Sequence, residues 1–315
     1  EDILANMRSW IAKHQIVAFF ASAIAMNFVL GIPGMLLLTL SQTVLKFIGF
    51  YLLRMAVFSP VLSGILLVRL SDHESGCNGK KVCWIVFGVI ALIGWAVGTL
   101  QMKMTMPPGV GFSMIHLVLL NGPVALLPAY VFSRAVSGSS GLRAYLGSLV
   151  RPRGHVIWYI IAFFTFPVIH VLGNTVTRAL GGQPLVIQGF SSHLLLTAFI
   201  TFLNVFLFTG GINEESGWRG FALPRLQARH SMILAALIIW VCHATWELNG
   251  DVFMSLVMGG QVSWPVVSRL VWMPSWTILF IWVYNRTGGS ILAPAVFHSS
   301  MNMMNPLMGV LPTTR

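Results

Sequence analysis

The chain has 315 residues, 56% of them hydrophobic and only 9% charged, and its mean hydropathy is +0.81. A soluble domain usually carries about 25% charged residues, so this chain has too little polar side chain to cover a water-facing surface. The formal net charge of +11 does not signal nucleic acid, because the basic residues are scattered rather than gathered on one stripe.

Apolar runs of roughly 20 residues match the hydrocarbon thickness of a bilayer. Nine are predicted, over residues 16–40, 47–69, 83–101, 112–136, 156–179, 190–213, 231–249, 266–284 and 290–311. Lys46 and Arg54 interrupt the second, which leaves eight as the alternative. The fold class is all-α: a polytopic transmembrane helix bundle of eight to nine spans. In the first span "GIPG" (31–34) reads as a kink or turn. The chain opens at Glu1 without a methionine, so a preceding stretch is expected to be missing, and the first apolar run is too long for a signal peptide. Cys77 and Cys83 share the loop after the second span and Cys242 lies in the seventh, with no CxxC pattern among them. That loop is placed inside, so reduced thiols are expected. His116 and His170 lie within spans near no acid in sequence and read as packing residues. Asn204 reads as an interhelical hydrogen-bonding residue.

The basic residues give an orientation. With the N-terminus cytoplasmic and the spans alternating, thirteen of the nineteen Lys and Arg fall on the inner side. They run from Arg8 and Lys13, through Arg69, Lys80 and Lys81 and the 134–153 group, to Arg219, Arg225, Arg229 and Arg286. This is the positive-inside bias of inserted helices. Around Arg219, Trp218, Phe221 and Leu226 interleave with basic residues. That pattern suggests a short interfacial segment or a charged anchoring loop, with Pro224 arguing against one unbroken helix.

Ionisable groups inside a membrane cost roughly 2.5–3.5 kcal/mol on insertion scales and are functional candidates by default. The chain has only eight acids, and Glu214, Glu215, Glu247 and Asp251 all fall in its last third. Glu214 and Glu215 close the sixth span, and His243 lies midway along the seventh. His298 and Asn302 in the ninth are one i,i+4 step apart, hence on one face. Two carboxylates, two imidazoles and an amide are the parts of a hydrolytic site. A sheltered carboxylate can take a proton from water, and a histidine can orient that water or share a metal with the carboxylate. A second histidine with an asparagine can donate to a tetrahedral oxyanion. Arg219, at i+4 from Glu215, can hold that acid ionised and oriented. The same spacing also fits a proton relay. Glu247, Asp251 and Arg269 read as a structural ion-pair group, with Glu247 a secondary candidate for orienting His243. One spatial condition follows. If the seventh span starts near Ser231, His243 lies ~18 Å along it, so the sixth helix must continue toward Arg219 for Glu214 to reach it.

These residues also carry a family resemblance. "EESGWRG" (214–220), the histidine ending "IIWVCH" (238–243), and "HSSMN" (298–302) resemble the three motifs of the CPBP family, the CAAX prenyl proteases and bacteriocin-processing or Abi proteins. The match is Glu214, Glu215 and Arg219 for the first motif, His243 for the second, and His298 with Asn302 for the third. Ile239 stands where the second motif has phenylalanine. The hairpin "YNRTGGSILAPAVFH" (284–298) has the same family look. The motifs lie within 190–305, with a weaker likeness back to Gly122–Pro123. The resemblance implies a protease core over 106–315, preceded by transmembrane segments of unassigned role over 1–105. It implies a bundle with a conical cavity open to cytosol or membrane, in which Glu214 and His243 activate water and His298 and Asn302 form the oxyanion site. Glu215 and Arg219 act as supports. Metal use stays open: no HExxH occurs, and Glu214, His243 and His298 would supply the ligands if a divalent ion such as zinc is bound. No other cofactor is expected.

The expected function is therefore an intramembrane endopeptidase, integral to the plasma membrane of a prokaryote. Its partners are the lipid bilayer and a peptide or protein substrate. A prenylated C-terminus and a peptide precursor both suit. The competing readings are a non-catalytic immunity or scaffolding protein of the same fold, and a proton-coupled transporter. A transporter would show paired broken helices in two matching halves, whereas the acids here cluster in one third.

Overall fold

The computed structural model describes residues 2–71, 79–105, 112–182, 192–257, 267 and 269–307. Cys77 and the side chain of Asp251 lie outside the described parts. Among the described residues every regular element is helical. In chain order they are α1 (Asp2–Lys13), α2 (Gln15–Leu38), α3 (Thr43–Val57), α4 (Ser59–Ser71), α5 (Lys80–Thr105), α6 (Met114–Ser137), α7 (Ser140–Leu146) and α8 (Ile157–Ala179). There follow α9 (Ser192–Phe208), α10 (Gly211–Glu215), a π-helical stretch (Ser216–Ala222), α11 (Leu223–Gln227), α12 (Met232–Val257), α13 (Met273–Arg286) and α14 (Leu292–Leu307).

The chain is an integral membrane protein, as its apolar helices require. Six helices among the described residues are long and apolar enough to cross a bilayer, or seven if α3 and α4, bent by 61° at their junction, count as one broken span. The expected eight to nine is not reached on that criterion, because α13 and α14 have 14 and 16 described residues. The helices alternate in direction. Gln15, Ser71, Ser140, Arg153, Arg225 and Gly289 surround one cavity, so the starts of α2 and α8 and the ends of α4 and α11 share one end of the bundle. Most of the basic loops lie at that end. Cys83, near the start of α5, is disulfide-bonded, against the expectation of reduced thiols. Cys242 is free.

Small residues set how closely the helices approach. A Cβ on Gly49 would lie 2.6 Å from the Gly34 carbonyl oxygen, so α2 and α3 meet backbone to backbone. "GIPG" therefore serves packing, and Pro33 is carried inside a continuous helix. A Cβ on Gly98 of α5 would collide with Asn121 of α6 at 2.5 Å. Without apolar driving force between helices in lipid, such close approach is what holds them together.

The core gathers on the π-helical stretch. Trp218 and Phe221 are fully buried and pack on Phe19 of α2, with ring centroids 5.6 and 5.0 Å away. A Cβ on Gly217 would strike Pro60 of α4 at 2.4 Å, and one on Gly220 would strike Ile291 at 2.5 Å. The glycines of "SGWRG" thus admit α4 on one side and the start of α14 on the other. This burial overturns the interfacial reading of 218–226: Trp218, Arg219, Phe221 and Leu226 are all inside the protein. The cations tolerate this because Arg219 pairs with Glu215, while Arg225 donates to Gln15 Oε1 and the Phe221 carbonyl.

Candidate active site

The sixth apolar run ends in a designed break. After α9, Gly210 takes φ +146 and ψ −46, a conformation that side-chain-bearing residues rarely adopt. Its N–H donates to Asn213 Oδ1 at 2.9 Å, and Asn213 Nδ2 donates to the Val57 carbonyl at 2.9 Å. Val57 lies at the α3–α4 bend, so one buried asparagine ties two broken helices together. Beyond the break the helix resumes through α10, the π-helical stretch and α11. The sixth helix therefore continues past Arg219, which meets the condition for Glu214 to reach His243. π-Helical turns of this kind occur frequently at functional sites.

Glu214 and Glu215, adjacent in sequence, face different partners. Glu214 Oε2 lies 2.9 Å from His243 Nε2. Glu215, fully buried, accepts from Arg219 Nη1 at 3.0 Å through Oε1. The same oxygen lies 2.8 Å from His298 Nδ1. Glu214, Arg219, His243, His298 and Asn302 line one cavity of about 460 Å³, while Glu215 stands behind its wall. The cavity also takes in Thr209, Glu247 and Arg269. Along α12 and α14, Glu247 and Asn302 follow His243 and His298, so the cavity extends from the two histidines toward the end opposite the basic loops.

Aromatic rings fix the imidazoles. The Trp218 ring lies 4.8 Å from that of His243, and Trp246 lies 5.9 Å away while donating from Nε1 to Ser59 Oγ at 2.8 Å. Phe280 packs edge-on against His298 at 5.4 Å and beneath the Arg219 guanidinium at 4.3 Å. Next to His298, a Cβ on Gly210 would lie 2.4 Å from Nε2. The glycine that breaks the helix thus also leaves the second nitrogen of His298 uncovered.

Glu247 Oε1 lies 3.4 Å from His243 Nε2, and its other oxygen pairs with Arg269. The Glu247–Arg269 pair expected from sequence is present, but at the cavity wall. Ligand atoms of Glu214, His243 and Glu247 lie within 4.8 Å of one another. Two carboxylates and one imidazole converging in a buried cavity are a donor set that suits a divalent ion with a place left for water. His298 of the expected ligand set meets Glu215 through Nδ1 and lines the same cavity, outside the group of three whose ligand atoms converge. Gly210, Asn213, Gly217 and Trp246 were not singled out in the sequence. The "TGG" that interrupts an apolar run just before the acid pair is the one visible signal for the first of them.

Comparison with known proteins agrees with this geometry. Residues 196–304 match the family model described as type II CAAX prenyl endopeptidase Rce1-like. The chain is 21% identical over 164 residues to a CAAX prenyl protease 2 from Methanococcus maripaludis, an alignment covering 49% of this chain and 58% of that protein. The chain thus spans little more than half the length of the curated relative it matches. The CPBP-type protease resemblance holds over the segment that carries all three motifs.

Proposed function

We propose that the protein is an intramembrane endopeptidase that hydrolyses a peptide bond with a water activated by Glu214 and His243. The observation that carries this reading is the 2.9 Å contact between Glu214 and His243 inside a cavity that His298 and Asn302 also line. Water seated against Glu214 gives up its proton to the carboxylate as its oxygen attacks the scissile carbonyl. His243 holds the carboxylate and directs the water. The developing oxyanion falls to His298 Nε2 and the Asn302 amide. Glu215 accepting at His298 Nδ1 balances a proton held on that ring, so that Nε2 can donate. Glu214 then returns the proton to the leaving amine. A preorganised oxyanion donor of this type is worth about 2.7–4 kcal/mol.

If a divalent ion belongs to the resting enzyme, Glu214, His243 and Glu247 would hold it, and it would supply a nucleophilic water that loses its proton more readily than free water. The residues fit that role as well as direct carboxylate catalysis. The substrate proposed is a protein or peptide with a cleavage site at membrane depth, a prenylated C-terminal sequence being the first choice on the family likeness. The site is proposed to belong to the core over 106–315, with the N-terminus cytoplasmic and the protein in the plasma membrane.

The test is cleavage of a prenylated CAAX reporter peptide by the purified chain, with Glu214→Gln and Asn302→Ala as variants. Glu214→Gln should abolish turnover without unfolding the protein. Wild-type cleavage that survives Glu214→Gln would refute the mechanism.

A further inference from the structure

A second cavity, of about 560 Å³, lies on the other side of the π-helical stretch from the catalytic one, at the basic end of the bundle. Phe221 and Gly220 form part of its wall. Two arginines reach it, Arg153 from the α7–α8 connection and Arg225 from α11, and no aspartate or glutamate lines it among the described residues.

The two arginines are held differently. Arg225 donates from Nε to Gln15 Oε1 at 2.8 Å and from Nη1 to the Phe221 carbonyl at 2.9 Å, and stacks 3.7 Å from the Phe221 ring centroid. These contacts fix its plane without neutralising its charge. The Arg153 N–H donates to the Tyr159 hydroxyl at 2.9 Å, which anchors its backbone, and its exposed guanidinium reaches Gly289, where a Cβ would lie 3.7 Å from Nη1. Tyr145, in the same cavity, donates to the Ser216 carbonyl at 3.0 Å. Burial pushes its hydroxyl far above the ordinary tyrosine range, so it stays protonated and adds no negative charge.

Two cations facing one cavity that also holds tyrosine and serine hydroxyls, with no carboxylate lining it among the described residues, are a receptor for an oxyanion, and arginine forks match phosphate geometry. Leu67, Val68 and Ile291 line the same cavity, so it offers apolar surface beside the cations, where a bare ion would use only the polar part. Its position, at the bundle end where basic loops meet the membrane surface, is where headgroups lie. We propose that this cavity binds the phosphate group of an anionic phospholipid headgroup, gripped by Arg153 and Arg225. The site is independent of whether the catalytic cavity cleaves peptides.

The experiment is native mass spectrometry of the full chain in zwitterionic detergent, titrated with phosphatidylglycerol, with phosphatidylcholine of the same chains, or with inorganic phosphate. One phosphatidylglycerol should bind saturably and at least about tenfold more tightly than phosphatidylcholine, whose choline cation beside the same phosphate is repelled by the two arginines. Arg153→Gln and Arg225→Gln should each erase most of that preference. Arg153 is exposed, so its variant keeps the test valid even if loss of the Arg225 contacts disturbs folding. Inorganic phosphate binding as tightly as the lipid, with the same arginine dependence, would support the phosphate site while assigning its occupant to solution. Equal binding of the two lipids, or full discrimination in Arg153→Gln, would overturn the proposal.

Discussion

Glu215→Gln tests the division of labour between the two adjacent glutamates. Glu215 is fully buried, Arg219 is 1% exposed, and their contact is 3.0 Å. Converting the carboxylate to an amide leaves the guanidinium buried without a counter-charge, a change that costs about 3–5 kcal/mol in buried pairs. The same change leaves a neutral amide where a charged acceptor met His298 Nδ1. Glu214→Gln, by contrast, touches one neutral-capable contact with His243, and the amide can still hydrogen-bond, so about 1 kcal/mol is expected. Reversible unfolding in mixed detergent micelles measures both. Glu215→Gln should be the less stable variant by about 2 kcal/mol or more, although both should lose peptidase activity. Removing both charges in Glu215→Gln/Arg219→Met should recover much of the loss, because replacing a buried ion pair as a unit is often close to neutral. The reasoning fails if Glu214→Gln destabilises as much as Glu215→Gln, or if the double variant is no better than the single.

Gly210→Ala places a methyl 2.4 Å from His298 Nε2 on a backbone at φ +146. Since a 1 Å misplacement can cost ~10²-fold, cleavage of the prenylated reporter should fall by about that factor, with a cooperative unfolding transition retained. Trp246→Phe and Ser59→Ala each remove the buried bond between α12 and α4 and should cost about 1 kcal/mol. The pair together should cost little more than either alone, read from the same unfolding assay. Zinc affinity measured by competition should weaken by about tenfold or more in Glu247→Gln and hold in His298→Gln, since Glu247 and not His298 converges on Glu214 and His243. For orientation, an impermeant maleimide should label Thr39→Cys in intact cells and His155→Cys only after permeabilisation. The reverse pattern would place the basic end, with the Cys83 disulfide, on an oxidising side.

The bundle was legible because a bilayer demands runs of a minimum length, and hydropathy records length directly. The three motifs were legible because ionisable groups are rare in such runs. What hydropathy does not record is where a run breaks. Lys46 and Arg54 mark the second run as interrupted in the sequence, whereas the chain bends at Phe58, where neither charge lies. The 218–226 segment was misread because alternating aromatics and arginines look alike at a membrane surface and in a core. Only three-dimensional contacts supply the counter-charge and amide that let Arg219 and Arg225 go inside. Residues 1–105 carried no readable role. Their helices brace α12 from outside the cavity, with Asn27 donating to the Trp246 carbonyl at 2.6 Å and Asn249 donating back to the Asn27 carbonyl at 3.1 Å. Isolated asparagines in apolar runs signal that a partner exists but not which helix provides it.

The pairing of acids has a geometric cause. Successive residues on a helix project about 100° apart, so neighbouring glutamates on one helix cannot serve the same face. With α12 on one side and α14 on the other, the first carboxylate meets His243 and the second meets His298. One turn later, Arg219 falls on the second acid's side and takes up its charge. Two adjacent acids on a single helix therefore address two histidines on two other helices, which a lone glutamate could not do. An insertion of one alanine between Glu214 and Glu215 would rotate the first carboxylate by another 100° or so away from the cavity. It should abolish activity more completely than removing Glu215 alone.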